Sequence, residues 1–242
     1  MSVIVQLSDC HLKATPGDTA ASPDAALDRA VTAGLRVAGR ADLVLLTGDL
    51  SDDGSVAALE RVRAAAGRFG CPMLAVAGNH DLPATVAEVF GTPRSVQLGG
   101  WRIVPFTTWV KGSDGGRLDP GTALRVIDEL ASTDGATPRP TLLVLHHPPI
   151  SPSTNPIFTL EGAGGLVAGL RLRPHVRAAA TGHLHEFFTA ADEGFEVGGA
   201  PSTWYALQHD GPEYRLADPQ VIGGCRWDLH PDGSFERTLF EG

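Results

Sequence analysis

Short unbroken apolar runs alternate with longer stretches of helical period through the first third of this 242-residue chain. Val3-Ile4-Val5-Gln6-Leu7 and Leu43-Val44-Leu45-Leu46 are too short for helices, and the second is apolar throughout, as in a strand covered on both faces. Between them Ala26, Leu27, Ala30, Val31 and Leu35 recur at helical spacing over Pro23 to Val37, with Ser22 placed as the N-cap before Pro23. Ser55 to Phe69 again has the helical pattern, and Met73 to Val76 reads as the next strand. The order β-α-β-α-β predicts a largely parallel α/β sheet.

The middle is less regular. Ser95 to Phe106 predicts a hairpin turning at Gly99-Gly100, Lys111 to Asp119 a polar glycine-rich loop, Ala123 to Leu130 a helix and Thr141 to Leu145 a buried strand. A loop with two prolines over Ser151 to Leu160 and a short helix over Leu166 to Leu172 follow. From Val176 the pattern becomes short strands with glycine turns: Phe187 to Ala190, Phe195 to Val197, Trp204 to Leu207, Tyr214 to Leu216, Val221 to Leu229 and Phe235 to Phe240. Neither an internal repeat nor a divisible linker interrupts the chain, so one domain over residues 1–242 is expected, α/β first and β-rich last.

Composition narrows the class. Apolar residues make up 43% and charged residues 19%, enough to bury a core. The net charge of −9, with only two lysines (Lys13 and Lys111), disfavours a nucleic-acid partner, which needs a basic stripe. Three cysteines without CxxC spacing do not make a disulfide framework. Ser2 to Leu7 lacks the basic start of a signal peptide, and no apolar run reaches the ~20 residues of a spanning helix, so a cytoplasmic protein without a membrane partner is expected.

Six of the nine histidines fall inside five short motifs, each at the end of an expected strand: Asp9-Cys10-His11, Gly48-Asp49, Gly78-Asn79-His80-Asp81, His146-His147-Pro148 and Gly182-His183-Leu184-His185. Open α/β sheets bind ligands beyond the carboxyl ends of their strands, so the motifs lie where a site is expected. Imidazole and carboxylate suit iron, manganese and zinc. Asp9 and His11, like His183 and His185, are two residues apart, and in extended chain such a pair points the same way. The same alternation turns Cys10 into the core. Asp9, His11, Asp49, Asn79, His146, His183 and His185 make seven candidate ligands, too many for a structural zinc and enough for two ions if one carboxylate bridges. His80 and His147 stand in reserve. Asp52 and Asp53 can support the site or cap the following helix, and His175, His209 and His230 are expected to be structural.

As an ordered set, these motifs resemble the calcineurin-like metallophosphoesterase family from Val3 to at least His185. The resemblance implies an α/β fold of αββα sandwich type, two mixed sheets flanked by helices. It implies two divalent or trivalent ions, with Asp9, His11 and His185 on the first, Asn79, His146 and His183 on the second, and Asp49 bridging. His80 would face the phosphate and serve the leaving oxygen, oriented by Asp81, and His147 would stand behind the ligands. Within the family the chain is most similar to the class III cyclic nucleotide phosphodiesterases, through Gln6-Leu7-Ser8-Asp9, Thr47-Gly48-Asp49-Leu50-Ser51-Asp52, Ala200-Pro201-Ser202-Thr203 and the closing stretch Gly224 to Gly233. The region from Lys111 to Pro140 departs from that pattern. The implied reaction is hydrolysis of a small phosphodiester, cyclic AMP to 5′-AMP, by hydroxide held between the metals. Other phosphodiesters or monoesters, or a non-catalytic scaffold, are the alternatives, and a homodimer is left open.

Overall fold

A computed structural model describes residues 1–131 and 138–242. Residues 132–137, part of the stretch from Lys111 to Pro140 set apart above, lie outside the described residues. The elements in chain order are β1 (Ser2–Leu7), α1 (Pro23–Ala38), β2 (Leu43–Thr47), α2 (Val56–Ala66), β3 (Met73–Val76), α3 (Pro83–Phe90), β4 (Val96–Leu98), β5 (Trp101–Pro105), β6 (Gly116–Arg117), α4 (Pro120–Ala131), β7 (Thr141–Val144), β8 (Leu160–Glu161), α5 (Ala163–Arg171), β9 (Val176–Thr181), β10 (Phe188–Asp192), β11 (Phe195–Gly199), β12 (Leu207–Asp210), β13 (Glu213–Leu216), β14 (Gly223–Leu229) and β15 (Phe235–Glu241).

The expected helices form, α1 with its expected cap and α2 with its cap at Ser55 rather than at Asp52 or Asp53. Ser22 accepts from Ala25 N–H at the start of α1, and Ser55 accepts from Ala58 N–H at the start of α2. The hairpin turns at Gly99-Gly100, pairing Leu98 with Trp101. The hydrophobic pattern does not announce α3; its eight residues give little period to read, and Pro83 starts it where a missing N–H costs nothing. One expected strand, Trp204 to Leu207, begins only at Leu207. Ser202 Oγ accepts from Trp204 N–H and Tyr205 N–H at 2.9 and 3.2 Å, and Gln220 takes Ala206 N–H. Side chains there use the donors that a ladder would need.

Two mixed sheets result. The first has the order β15-β14-β1-β2-β3, with β1, β2 and β3 parallel and the closing hairpin β14–β15 antiparallel beside β1. The second has the order β10-β11-β9-β7-β5-β4, with β5, β7, β9 and β11 parallel. Alternating residues of each strand face opposite ways. Val5, Leu7, Val44 and Leu46 pack under α1 and α2, while Leu143, Ala179 and Val197 pack under α4 and α5. The opposite faces meet each other in a third core, where Ile4, Leu45, Val76 and Trp227 of the first sheet pack on Ile103, Leu142, Val144 and Ala180 of the second. The layers are therefore α, β, β and α, as the family resemblance implies.

A fully buried polar residue, Gln6, crosses the apolar seam. Gln6 Nε2 donates to Thr47 Oγ1 at 3.0 Å and to the carbonyl of Thr181, across the seam, at 2.9 Å, while its Oε1 accepts from Trp227 Nε1 at 2.8 Å. Thr47 and Thr181 are the last residues of β2 and β9, immediately before Gly48-Asp49 and Gly182-His183. The amide thus sets the spacing of the two strand ends that carry those motifs. A Gln6→Leu change leaves the buried Trp227 N–H unpaired. It should cost about 1–3 kcal/mol, the penalty of an unsatisfied buried donor, seen as a lower urea midpoint at unchanged slope. An unaltered midpoint would show that the seam does not depend on this amide.

Candidate metal centre

Each motif begins where a parallel strand ends: Asp9 after β1, Asp49 after β2, Asn79 after β3, His146 after β7 and His183 after β9. Three of these strands belong to the first sheet and two to the second, so the motifs converge at one end of the seam.

The chain does not run extended through them. Asp9, His11, Asp49, His183 and His185 have φ of 53°, 49°, 48°, 71° and 52°. Among the described residues, the other non-glycine residue with positive φ is Glu193. The expectation that strand alternation aims Asp9 with His11, and His183 with His185, is therefore corrected: left-handed turns aim them. Cys10 does lie fully buried in the core as expected, but through the same turn. Each such residue costs roughly 1–3 kcal/mol and persists only where its surroundings hold it. Here the loops hold one another: Asp9 N–H donates to Gly48 O and His11 N–H to Asp49 O, both at 2.9 Å, Ser202 Oγ donates to Asp9 O at 2.7 Å, and His183 N–H lies 3.1 and 3.2 Å from the Asp9 carboxylate oxygens. Two motif glycines serve by close approach. A Cβ at Gly78 would lie 2.2 Å from Asp49 Oδ1, and one at Gly48, itself at φ 90°, would lie 2.5 Å from His146 Nδ1.

Six of the seven expected ligands come together buried, with Asp9, His11, Asp49, His146, His183 and His185 each at most 4% exposed, while Asn79 is half-buried. Asp9, His11 and His185 form one group, and Asp9, Asp49 and His146 another, with donor atoms within 4.8 Å of one another. His185 Nδ1 is 3.1 Å from Tyr205 O, which can only accept, so this nitrogen carries the hydrogen. His11 Nδ1 is 3.1 Å from Asp52 Oδ1, and there too the ring donates. Both Nε2 atoms then present lone pairs, and they face each other at 3.1 Å. Two lone pairs at that distance repel unless a proton or a metal cation lies between them; burial opposes charge on His11, but Asp52, Asp49 and Asp9 favour its protonated form when no metal is bound. Ligands on a tetrahedral zinc are about 3.3 Å apart, from bonds of 2.0–2.1 Å. The pairs His185 Nε2–Asp9 Oδ1 at 3.4 Å, His146 Nε2–Asp49 Oδ2 at 3.5 Å and His146 Nε2–Asn79 Oδ1 at 3.1 Å are close to this spacing. His146 Nδ1 and His183 Nε2 donate outward to the carbonyls of Thr47 at 2.7 Å and Ile157 at 2.8 Å, the outer contacts that orient metal-bound imidazoles. The residues present fit a pair of cations.

Charge follows this arrangement. Burial pushes the Asp9 carboxyl up to about 6. Asp49 is equally buried, but the positive His146 beside it holds it well below the usual carboxylate range. Burial opposes charge on His146, yet Asp49 lifts it to about 9. Burial and His146 together push His183 down to about 3. Protons held at Asp9 and His146 occupy the centre that cations would neutralise.

The expected orienter of His80 is corrected. Asp81 accepts from Gly78 N–H, Leu50 N–H, Ser51 N–H and Ser51 Oγ at 2.9–3.2 Å, and so braces the second and third motifs. The carboxylate beside His80 is Asp52, whose Oδ1 lies 3.2 Å from His80 Nδ1 as well as 3.1 Å from His11 Nδ1. That hydrogen bond from His11 lowers Asp52 to about 2. Two residues separate Asp49 from Asp52, and the loop folds back over His11 through Asp52 N–H on Leu12 O at 2.7 Å. Of the two alternatives for Asp52 and Asp53, Asp52 supports the site, while Asp53 accepts from Ala14 N–H and Ser55 N–H. His80 is 39% exposed and its N–H donates to Asp49 Oδ1 at 2.9 Å. His147 packs edge-on against His146 and His183, with Nδ1 2.7 Å from Thr108 Oγ1. His175 and His230 make backbone or surface contacts away from the donors, while His209 Nε2 donates to the carbonyl of Leu184, between His183 and His185, at 3.0 Å.

The donors open into a cleft of about 190 Å³, whose other walls include Ile157, Phe158, Tyr205 and Tyr214. Sequence patterning missed these walls. Tyr205 and Tyr214 fall in segments that read only as short strands, and nothing in their spacing marks a site. Among the described residues, no helix is long and apolar enough to cross a membrane.

Comparisons with known proteins agree with this geometry. The family model for calcineurin-like phosphoesterases matches residues 2–187. A Synechococcus protein named "Probable cyclic nucleotide phosphodiesterase syc0937_d" is 34% identical over 98% of this chain and 91% of its own length. The 3′,5′-cyclic adenosine monophosphate phosphodiesterase CpdA of Pseudomonas aeruginosa is 30% identical over 98% of this chain and 89% of its own. Among solved structures, a dimetal phosphatase from Danio rerio shares the fold with a TM-score of 0.73, at 13% identity, over 99% of this chain and 96% of its own. Motifs, layers and relatives together place this chain in the calcineurin-like phosphoesterase family, and it is a metal-dependent phosphoric ester hydrolase.

Proposed function

We propose that this protein is a two-metal phosphodiesterase that opens 3′,5′-cyclic AMP to 5′-AMP. The observation that carries the two-ion reading is the place of Asp49. Its Oδ2 is 3.9 Å from His11 Nε2 on one side and 3.5 Å from His146 Nε2 on the other, so one carboxylate reaches both donor groups. Asp9, His11 and His185 would hold one ion and Asn79, His146 and His183 the other, with Asp49 shared between them. The substrate reading is supported by relatives that span nearly the whole chain, through the Ala200 to Thr203 segment and the hairpin β14–β15.

Two bound cations supply charge stabilisation at the phosphoryl oxygens and an activated water at neutral pH. The chain's own residues do the rest. Asp52 accepts from His80 Nδ1 and turns Nε2 into the cleft, where it orients the phosphate and holds the proton that the leaving 3′ oxygen takes up. Asp52 also fixes the His11 tautomer, so one carboxylate couples an ion-holding ring to the proton donor. Free thiols at Cys10, Cys71 and Cys225 suit the cytoplasm as the place of action.

A substrate panel on manganese-loaded protein tests the reading: cyclic AMP, cyclic GMP, 2′,3′-cyclic nucleotides, glycerophosphodiesters and monoesters. Cyclic AMP should have the highest kcat/KM, and Asp49→Asn should abolish turnover together with metal retention; a bridging-variant protein that keeps two ions and full rate would remove Asp49 from its role. His80→Ala should retain metal and lose kcat by roughly 10²–10⁴-fold, the usual contribution of a positioned proton donor. Loss of metal in that variant would move His80 into the ligand set. Because the proton on His146, held up to about 9, competes with cations between pH 6 and 8, and that on Asp9 only near and below about 6, metal affinity should rise with pH by roughly tenfold per unit across this window. Titration calorimetry at pH 6 and 8 in buffers of different ionisation enthalpy checks this, and identical affinities without proton release would contradict it.

A further inference from the structure

The hairpin β12–β13 stands apart from both large sheets, pairing only within itself as a two-stranded unit. All four residues of β13, Glu213 to Leu216, are exposed, so the strand contributes almost nothing to a core. An isolated two-stranded hairpin is marginal in water. This one is nonetheless tied down at its tip: Thr154 N–H and Ser153 Oγ donate to Gly211 O at 3.0 and 3.3 Å, and Asn155 Nδ2 donates to Pro212 O at 2.8 Å. At its base Gln220 holds Ala206 through both its N–H and its carbonyl. A segment so firmly anchored, yet burying so little, is built to hold its side chains in place for something outside the core.

What it holds is an aromatic wall. Tyr214 lines the metal cleft and is 49% exposed. It rests edge-on against Phe158, with ring centroids 4.9 Å apart, and Phe158 in turn meets the ring of His183 at 5.3 Å. Tyr205 stands in the same cleft, 4.3 Å from the His185 ring. The wall therefore runs from the rings of His183 and His185 outward to an open tyrosine in the same cleft.

We propose that Tyr214, braced by Phe158 and the anchored hairpin, is a specificity-determining residue whose ring stacks on a planar heteroaromatic base carried by the phosphoester. The proposal rests on the reading of the donors as the phosphate site and adds the chemistry recognised beside it. Rings on bases contribute roughly 1–3 kcal/mol per stack, a five- to hundredfold preference.

Binding of 5′-AMP and of ribose 5-phosphate to the manganese-loaded full chain, by calorimetry and without turnover, isolates the base from the phosphate. The wild-type protein should prefer 5′-AMP by roughly five- to hundredfold. Tyr214→Ala should bring the two affinities within about twofold, Tyr214→Leu should do the same while keeping an apolar contact on Phe158, and Tyr214→Phe should keep the preference. Equal wild-type affinities, or a preference that survives both the alanine and leucine variants, would overturn the proposal. A preserved preference for 5′-AMP without cyclic nucleotide hydrolysis would instead sink the cyclic AMP reading and leave the stacking wall standing.

Discussion

In the neutral rings His11 Nε2 and His185 Nε2 both carry lone pairs, and they are held 3.1 Å apart in a buried site. No neutral arrangement of those atoms is favourable, because each ring has already given its hydrogen to an outer acceptor, Asp52 or Tyr205 O. The rest of the architecture can be understood as the apparatus that keeps such donors together against their mutual repulsion. His11 comes from the first sheet and His185 from the second, so the repulsion acts across the seam between them. The dry packing of Ile4, Val76 and Trp227 against Ile103, Val144 and Ala180 opposes it, with Gln6 fastening the two strand ends nearest the donors.

The same constraint explains the backbone. Five of the donor residues sit in left-handed turns that ordinary side chains avoid. A strand that simply continued would send Asp9 and His11 along the sheet axis; a left-handed residue directly after the strand turns the chain back toward its neighbour. The turns are held by hydrogen bonds between loops rather than within them, as in Asp9 N–H to Gly48 O and Gly182 N–H to His146 O. Strain at each position is thereby offset by hydrogen bonds to a neighbouring loop, and the loops form as one unit.

The C-terminal portion, β-rich and without ligands of its own, completes that unit. The β14–β15 hairpin extends the first sheet beside β1, and Trp227 on it closes the hydrogen bonding of Gln6. The segment from Ala200 to Thr203 passes behind the first motif, where Ser202 Oγ holds the Asp9 carbonyl and Thr203 N–H donates to Ser8 O at 3.2 Å. Residues far beyond the last histidine motif thus keep the first one in place.

The five motifs, their order and their position after strands were legible in the chain, because metal donors are few in kind and the apolar runs before them are unambiguous. The alternation of elements at Val3, Leu43 and Met73 was legible for the same reason: strands buried on both faces carry a continuous signal. What no local pattern contained was the direction of each donor. Left-handed turns at Asp9, His11, His183 and His185 are fixed by hydrogen bonds from residues tens to nearly two hundred positions away. Likewise Asp81 and Asp52 are equally good partners for His80 on paper, and only the fold of the loop over His11 places Asp52 there and turns Asp81 to the backbone. The aromatic wall at Phe158, Tyr205 and Tyr214 comes from three separate segments and shows no spacing at all. The chain by itself therefore determined which donors exist and where along the strands they stand. Tertiary structure decided how they face one another and what lies beside them, because those relations depend on contacts between segments that sequence neighbours do not share.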